Sequence, residues 1–246
     1  METIEYRGYS IEIHRDEYPA NPFEEWDCEP PMVVLYGRYE KSEYWLELTA
    51  PTLTEEQIKG SLPAIKGALG ITGGLLAFCT DYAYSYRGNY ANATDLFNDA
   101  IGEYVTQQSD CDKMETLADL YNAIGVPALC TSVQGYSQGD YAELLIVCTP
   151  EYQKRIGTKL TLESLRATAD LYAAWAYGDV YGYQVPSIDE SCWGFYGPDH
   201  KDSGLLEYAQ NAIDCHIERT RRARIEQIKV WIKNRVPLQY RRVAVC

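Results

Sequence analysis

What the chain lacks narrows its chemistry first. None of the eight cysteines, Cys28, Cys79, Cys111, Cys130, Cys148, Cys192, Cys215 and Cys246, lies close enough to another to form a C-x₂₋₄-C pair, which argues against a zinc knuckle. Histidine is scarce. His14, His200 and His216 are the only three, and none has a second histidine at metal-ligand spacing, so no metal and no cofactor are expected. Neither G-x-x-x-x-G-K-[ST] nor G-x-G-x-x-G occurs, and the glycines between Gly70 and Gly74 lack a following lysine, so that segment reads as a turn. No run approaches the roughly 18 apolar residues of a membrane span. The opening METIEYRGYSIEIHRDE also has neither the basic nor the apolar region of a signal peptide. The expectation is a cytoplasmic protein with no membrane contact and with free thiols.

What is present is globular in composition. The 246 residues are 46% apolar and 24% charged, enough to bury a core without staples. The net charge of −14 is unevenly placed. From Ile217 to Cys246 there are nine Lys/Arg and two Asp/Glu, a formal +7, which leaves −21 on the rest, from 13 basic and 34 acidic residues. An acidic body repels phosphate backbones at long range, whereas the basic stretch attracts them, docks on the body, or simply solvates a helix face.

Hydrophobic periodicity predicts an α+β fold: N-terminal antiparallel β-strands, several amphipathic helices and a long C-terminal helix. The chain reads as a single domain over residues 1–246, with a basic helix over 203–235 packed on it or extending from it. Alternation marks a strand from Tyr6 to Ile13, with further strands expected from Met32 to Tyr39 and from Tyr44 to Leu48 about a turn at Glu40 to Glu43. Thr54 and Gln57 stand at capping-box spacing, opening a helix that should fade near Gly60 to Pro63 and resume toward Leu69. Leu75 to Phe78 fits either a strand or a buried helical turn. Helices are expected across Thr94 to Val105, across Met114 to Ile124 with Gly125 at the end, and from Thr161 to Gly178. Val126 to Val133 reads as extended chain, Asp140 to Thr149 and Val180 to Val185 as strands, and Pro186 to Pro198 as turn-rich chain. In the long helix Leu206, Ala209, Ile213, Ile217, Ile225, Ile228 and Ile232 are the candidate inward positions.

Three segments bear on chemistry. Gly135-Tyr136-Ser137-Gln138-Gly139 fits the G-x-S-x-G nucleophile elbow, with Asp189 and His200 or His216 in the right order to complete a triad. A helix should follow an elbow, but a strand is expected from Asp140, so the glycines read as a turn and no catalytic residue is assigned. Acids beside a thiol at Trp26-Asp27-Cys28-Glu29 and Asp189-Glu190-Ser191-Cys192 form the other enzymatic candidate, and such residues more often hold turns and caps. The third feature is aromatic: 22 Tyr, 5 Trp and 4 Phe, clustered at Tyr82 to Tyr90, at Tyr177 to Tyr183 and at Trp193 to Tyr196. Such rings pack cores or anchor interfaces. The binding candidates are therefore Trp26, Asp27, Tyr136, Asp140, Asp179, Tyr181 and Trp193, with Arg221, Arg222 and Arg224 on the basic helix.

The strings from Tyr6 to Tyr9 (YRGY), from Asn21 (NPFEEWDCEPP), from Gly135 (GYSQGDY), from Gly178 (GDVYGY) and from Cys192 (CWGFYG) together resemble a group of uncharacterised proteins encoded by bacteriophages and other bacterial mobile elements. The resemblance runs from near Tyr6 to near Leu206. It implies expression inside a bacterial cell and carries no catalytic residues with it. On this footing the expected function is an acidic, non-catalytic binding protein that modulates a protein partner, with inhibition of host nucleic-acid-targeting defence as its sharper form. A nucleic-acid contact through the basic helix is the alternative, and a serine hydrolase at GYSQG the third reading.

Overall fold

The computed structural model describes residues 2–25, 31–36, 40–44, 46–83, 90–134 and 141–235. Where the sequence sets out one α+β domain, contacts group the chain into two compact units, residues 20–178 and a second unit made of residues 1–19 and 179–246. The second unit joins both ends of the chain because β2 (Tyr9–Arg15) takes β7 (Val180–Val185) as its antiparallel neighbour.

The larger unit is built on a four-stranded antiparallel sheet in the order β4-β3-β6-β5, comprising β3 (Met32–Tyr36), β4 (Glu40–Tyr44), β5 (Ala128–Gln134) and β6 (Tyr141–Val147). Alternation along β3 and β6 sends Val33, Leu145 and Val147 to one face and Met32, Val34, Leu144 and Ile146 to the other. Both faces are covered, which is why the central strands read as unbroken apolar runs. One layer holds α2 (Glu55–Ala68), α3 (Leu75–Tyr82), α4 (Ala93–Thr106) and α5 (Asp110–Ala123), which contribute Ile65, Phe78, Phe97, Ile101, Met114 and Leu117 to the core. The opposite layer is α1 (Pro22–Glu25), α6 (Pro150–Ile156) and α7 (Leu162–Tyr177), whose Phe23, Tyr152, Leu165 and Tyr172 pack on the sheet.

Several local expectations change here. The chain expected to turn at Glu40 to Glu43 is instead strand β4, paired with β3 from Met32↔Tyr44 to Tyr36↔Glu40. Pairing with an apolar neighbour recruits polar residues that alternation alone assigns to a turn. The segment from Leu75 is helix α3, and α2 runs through Gly60 and Pro63 without a break, with Ile65 and Leu69 buried beyond the proline. Burial there outweighs the hydrogen bond that Pro63 cannot donate. Helix α6 went unforeseen, although Thr149 caps it by accepting from Tyr152 N and Pro150 sits in its first turn. The caps at Thr54, Thr161 and Gly178 form as the sequence predicts, Gly178 at φ +80°.

In the second unit the sheet order is β1-β2-β7-β8, adding β1 (Glu2–Tyr6) and β8 (Glu190–Tyr196). The first expected strand is thus two, hinged at Arg7 and Gly8, both with positive φ. The stretch read as turn-rich holds β8, returned from β7 by a short 3₁₀ turn, Pro186–Ile188, and by Asp189 at φ +54°. Aspartate tolerates that left-handed geometry, and strand formation by Cys192 to Tyr196 follows from having β7 beside it. Helix α8 (Leu205–Arg235) lies on one face, burying Leu205, Ala209 and Ile213 against Ile11, Ile13, Tyr183 and Val185.

Candidate interaction surface

Helix α8 has 31 residues with no glycine or proline inside it, so it extends about 45 Å at 1.5 Å per residue. Its apolar positions run at every fourth residue, Leu205, Ala209, Ile213 and Ile217, which keeps one ridge on the sheet. Polar contacts hold the ridge where the sheet ends. Arg7 Nη1 lies 3.0 Å from Asp214 Oδ1, the Tyr6 hydroxyl donates to Asp214 Oδ2 at 3.2 Å, and Tyr9 meets the His216 ring edge-on at 6.1 Å.

Past Ile217 the helix outruns its sheet. Every residue from Glu218 to Trp231 is exposed, and the apolar ones are among the most exposed large side chains described: Ile225 42%, Ile228 49%, Val230 56% and Trp231 55%. Ile225 and Ile228, read as inward from their spacing, therefore face outward. The periodicity continues, but β2 is only seven residues long and supplies nothing to cover them.

Charge is divided around this free half. Arg222 Nε pairs with Glu218 Oε1 at 2.9 Å and Lys229 Nζ with Glu226 Oε1 at 2.8 Å, while the Arg235 guanidinium lies 5.7 Å from the Trp231 ring centroid. Arg219, Arg221, Arg224 and Lys233 form no salt bridge among the described residues. Counted from Ile217 to Arg235 the helix carries seven basic and two acidic residues.

The other sequence candidates separate into groups. Asp179 and Tyr181 do come together, at one end of the second unit's sheet. Arg15 is the cross-strand partner of Tyr181, sets its guanidinium 5.8 Å from that ring and donates to Asp179 Oδ1 at 2.7 Å. Burial nevertheless outweighs Arg15 and pushes the Asp179 carboxyl above its ordinary value. His200 stands edge-on to Tyr181 at 5.9 Å. Its ring is nearly buried, with Nδ1 3.1 Å from Asp199 Oδ1 and Nε2 3.4 Å from Glu2 Oε2. Both nitrogens thus face these carboxylates, and Asp189 is spent on the β7–β8 turn. Sequence reasoning missed Arg15 and Glu2, whose roles depend on strands far apart in the chain.

Trp193 sits on the opposite sheet face, because its neighbour Gly182 has the other parity from Tyr181. The indole lies over Gly182 beside the His14 ring, 6.2 Å away, and is 43% exposed. Of the described rings in the remaining clusters, Tyr82 packs with Phe78 and Tyr104 in the larger unit and Tyr183 with Phe195 in the smaller, where exposed Tyr208 lies edge-on to Phe195, while Tyr177 is exposed and Tyr84 and Tyr86 lie outside the described residues. Trp26, Asp27, Tyr136 and Asp140, together with Cys28 and the whole GYSQG segment, lie outside the described residues. Among those described, no group of three or more His, Cys, Asp or Glu could hold a metal ion, and no helix is long and apolar enough to cross a membrane.

Comparison of the chain with family models, with curated proteins and with solved structures finds no match. The surface chemistry carries the functional argument.

Proposed function

We propose that this chain is a non-catalytic binding protein that engages a protein partner, with the free half of α8 as its contact element. The observation that carries this reading is the exposure of Ile225, Ile228, Val230 and Trp231 on one rigid helix anchored by its other half. Isolated helical segments of this length are marginal in water, and β-branched residues weaken them further. A surface helix with no partner would favour alanine, lysine and glutamate at these positions. Covering side chains that are roughly half exposed gains on the order of 1 kcal/mol each from apolar burial, and shields the helix backbone as well.

The sequence had pointed to the acidic body and the aromatic clusters as the contact. In the smaller unit Tyr181, Tyr183 and Phe195 pack in or against the core, whereas its exposed aliphatic residues concentrate on α8. The resemblance to proteins of bacteriophages and mobile elements supports a bacterial partner, and modulation of a host or mobile-element protein remains the functional form we propose. The test is co-purification from bacterial lysate at low and at high salt, comparing the wild-type chain with Ile225→Asp/Ile228→Asp. A stoichiometric partner retained by the first and lost by the second is expected. Equal recovery with both, or none with either, refutes the assignment of α8.

A further inference from the structure

Resting on that reading, we propose that α8 docks in an acidic helix-binding groove of a different protein, one that sets carboxylates opposite Arg221 and Arg224. The arrangement of charge on the helix distinguishes this partner from others. The ridge that packs on the sheet at Leu205, Ala209, Ile213 and Ile217 continues with the same four-residue step to Arg221 and Ile225, and then to Ile228 and Ile232. At 3.6 residues per turn, Arg221, Arg224, Ile225, Ile228 and Ile232 share about 100° of arc, with Trp231 on its border. The two arginines therefore stand within the line of apolar anchors. Any surface that covers Ile225 and Ile228 also covers them.

A buried guanidinium left unpaired costs several kcal/mol, so the covering surface must supply its own anions at those positions. On the outward face Arg222 and Lys229 already have Glu218 and Glu226. Arg219 and Lys233, which form no salt bridge among the described residues, point away from the stripe, whereas Arg221 and Arg224, equally without one, lie on it. A nucleic acid would pair with the arginines but offers nothing apolar to three isoleucines, and a bilayer core offers no anion to an arginine in the middle of the stripe. A second copy of α8 is also a poor fit. Antiparallel pairing about Ile228 would set Arg221 of each copy against Arg235 of the other. What remains is an apolar channel rimmed by carboxylates, receiving anchors at Ile225, Ile228 and Ile232 in the i, i+3, i+7 pattern of helix-in-groove recognition.

Three labelled synthetic peptides of about three heptads, each with Leu at a and d and with Glu, Gln or Lys at e and g, provide the test by fluorescence anisotropy against the full chain. Duplex DNA and vesicles of phosphatidylcholine with phosphatidylglycerol are measured alongside. The Glu peptide is expected to bind best, to weaken about tenfold between roughly 50 and 500 mM NaCl, and to weaken similarly with Arg221→Gln/Arg224→Gln. Ile225→Asp/Ile228→Asp should abolish its binding, with circular dichroism confirming the fold of each variant. If the Gln peptide binds as tightly as the Glu peptide, or the arginine variant binds unchanged, the acidic-partner inference fails while α8 keeps its role as contact element. If the isoleucine variant binds unchanged, if no peptide binds, or if DNA or vesicles bind more tightly than the Glu peptide, both fall.

Discussion

Gly182 offers a sharp test of the smaller unit, because adding one methyl group there should change sign with its neighbour. The residue lies in β7, with the Trp193 indole seated directly over its backbone. A Cβ at Gly182 would fall 2.9 Å from Trp193 Cζ3 and still nearer to Cδ2 and Cε3, closer than real Cβ atoms approach anything. The ring must move off the sheet. Overpacking of this kind costs typically about 1–3 kcal/mol, while replacing glycine inside a strand returns roughly 0.5–1 kcal/mol of backbone entropy. Gly182→Ala should therefore destabilise the chain by about 1–2 kcal/mol, read as a lowered midpoint in urea. In a Trp193→Ala background the clash is gone and only the entropic gain remains, so the same substitution should stabilise by about 0.5–1 kcal/mol. A loss of equal size in both backgrounds would show that Gly182 is required for some reason other than the indole, and would refute the packing argument.

Two further outcomes concern titrating groups. The Asp179 carboxyl, raised by burial and partly restored by Arg15, should rise further in Arg15→Gln, as followed by carbon NMR of its carboxyl. Because the folded state keeps that proton to higher pH than the unfolded chain, Asp179 contributes stability at low pH that is lost as pH rises through its raised value; a pH–stability curve unchanged in Asp179→Asn would contradict this. Burial first, and then Glu115 and Glu143, push the Cys130 thiol up to about 12, so its thiolate fraction at pH 8 falls roughly a thousandfold from the usual thiol value of 9.0. Iodoacetamide labelling followed by mass spectrometry should leave Cys130 unmodified in the folded chain and modify it in urea, and equal rates in both would overturn the assignment.

Local signals in this chain were legible wherever a few neighbouring residues decide the outcome. The capping pairs at Thr54 and Thr161, the left-handed glycines at Gly125 and Gly178 and the apolar run of β6 all declare themselves in order. Strand β4 did not, since polar residues pair there only because β3 lies alongside, and β8 was hidden behind Pro186 and Asp189 for the same reason. Among the binding candidates, Asp179 and Tyr181 are close neighbours in the chain, but the residue that links them was not foreseen. Arg15 is 164 residues from Asp179, and only the pairing of β2 with β7 brings the two together.

The sequence by itself predicted a helix over residues 203–235 with an apolar ridge of constant pitch and a surplus of positive charge, because backbone hydrogen bonding and side-chain periodicity are properties of neighbours a few positions apart. Whether that ridge meets a surface is a property of where another element ends. The sheet stops beneath Ile217, so identical spacing yields core on one side of that residue and an exposed stripe on the other. Only the tertiary structure separates the two, since hydrophobic burial depends on what lies opposite a side chain and not on the chain that carries it.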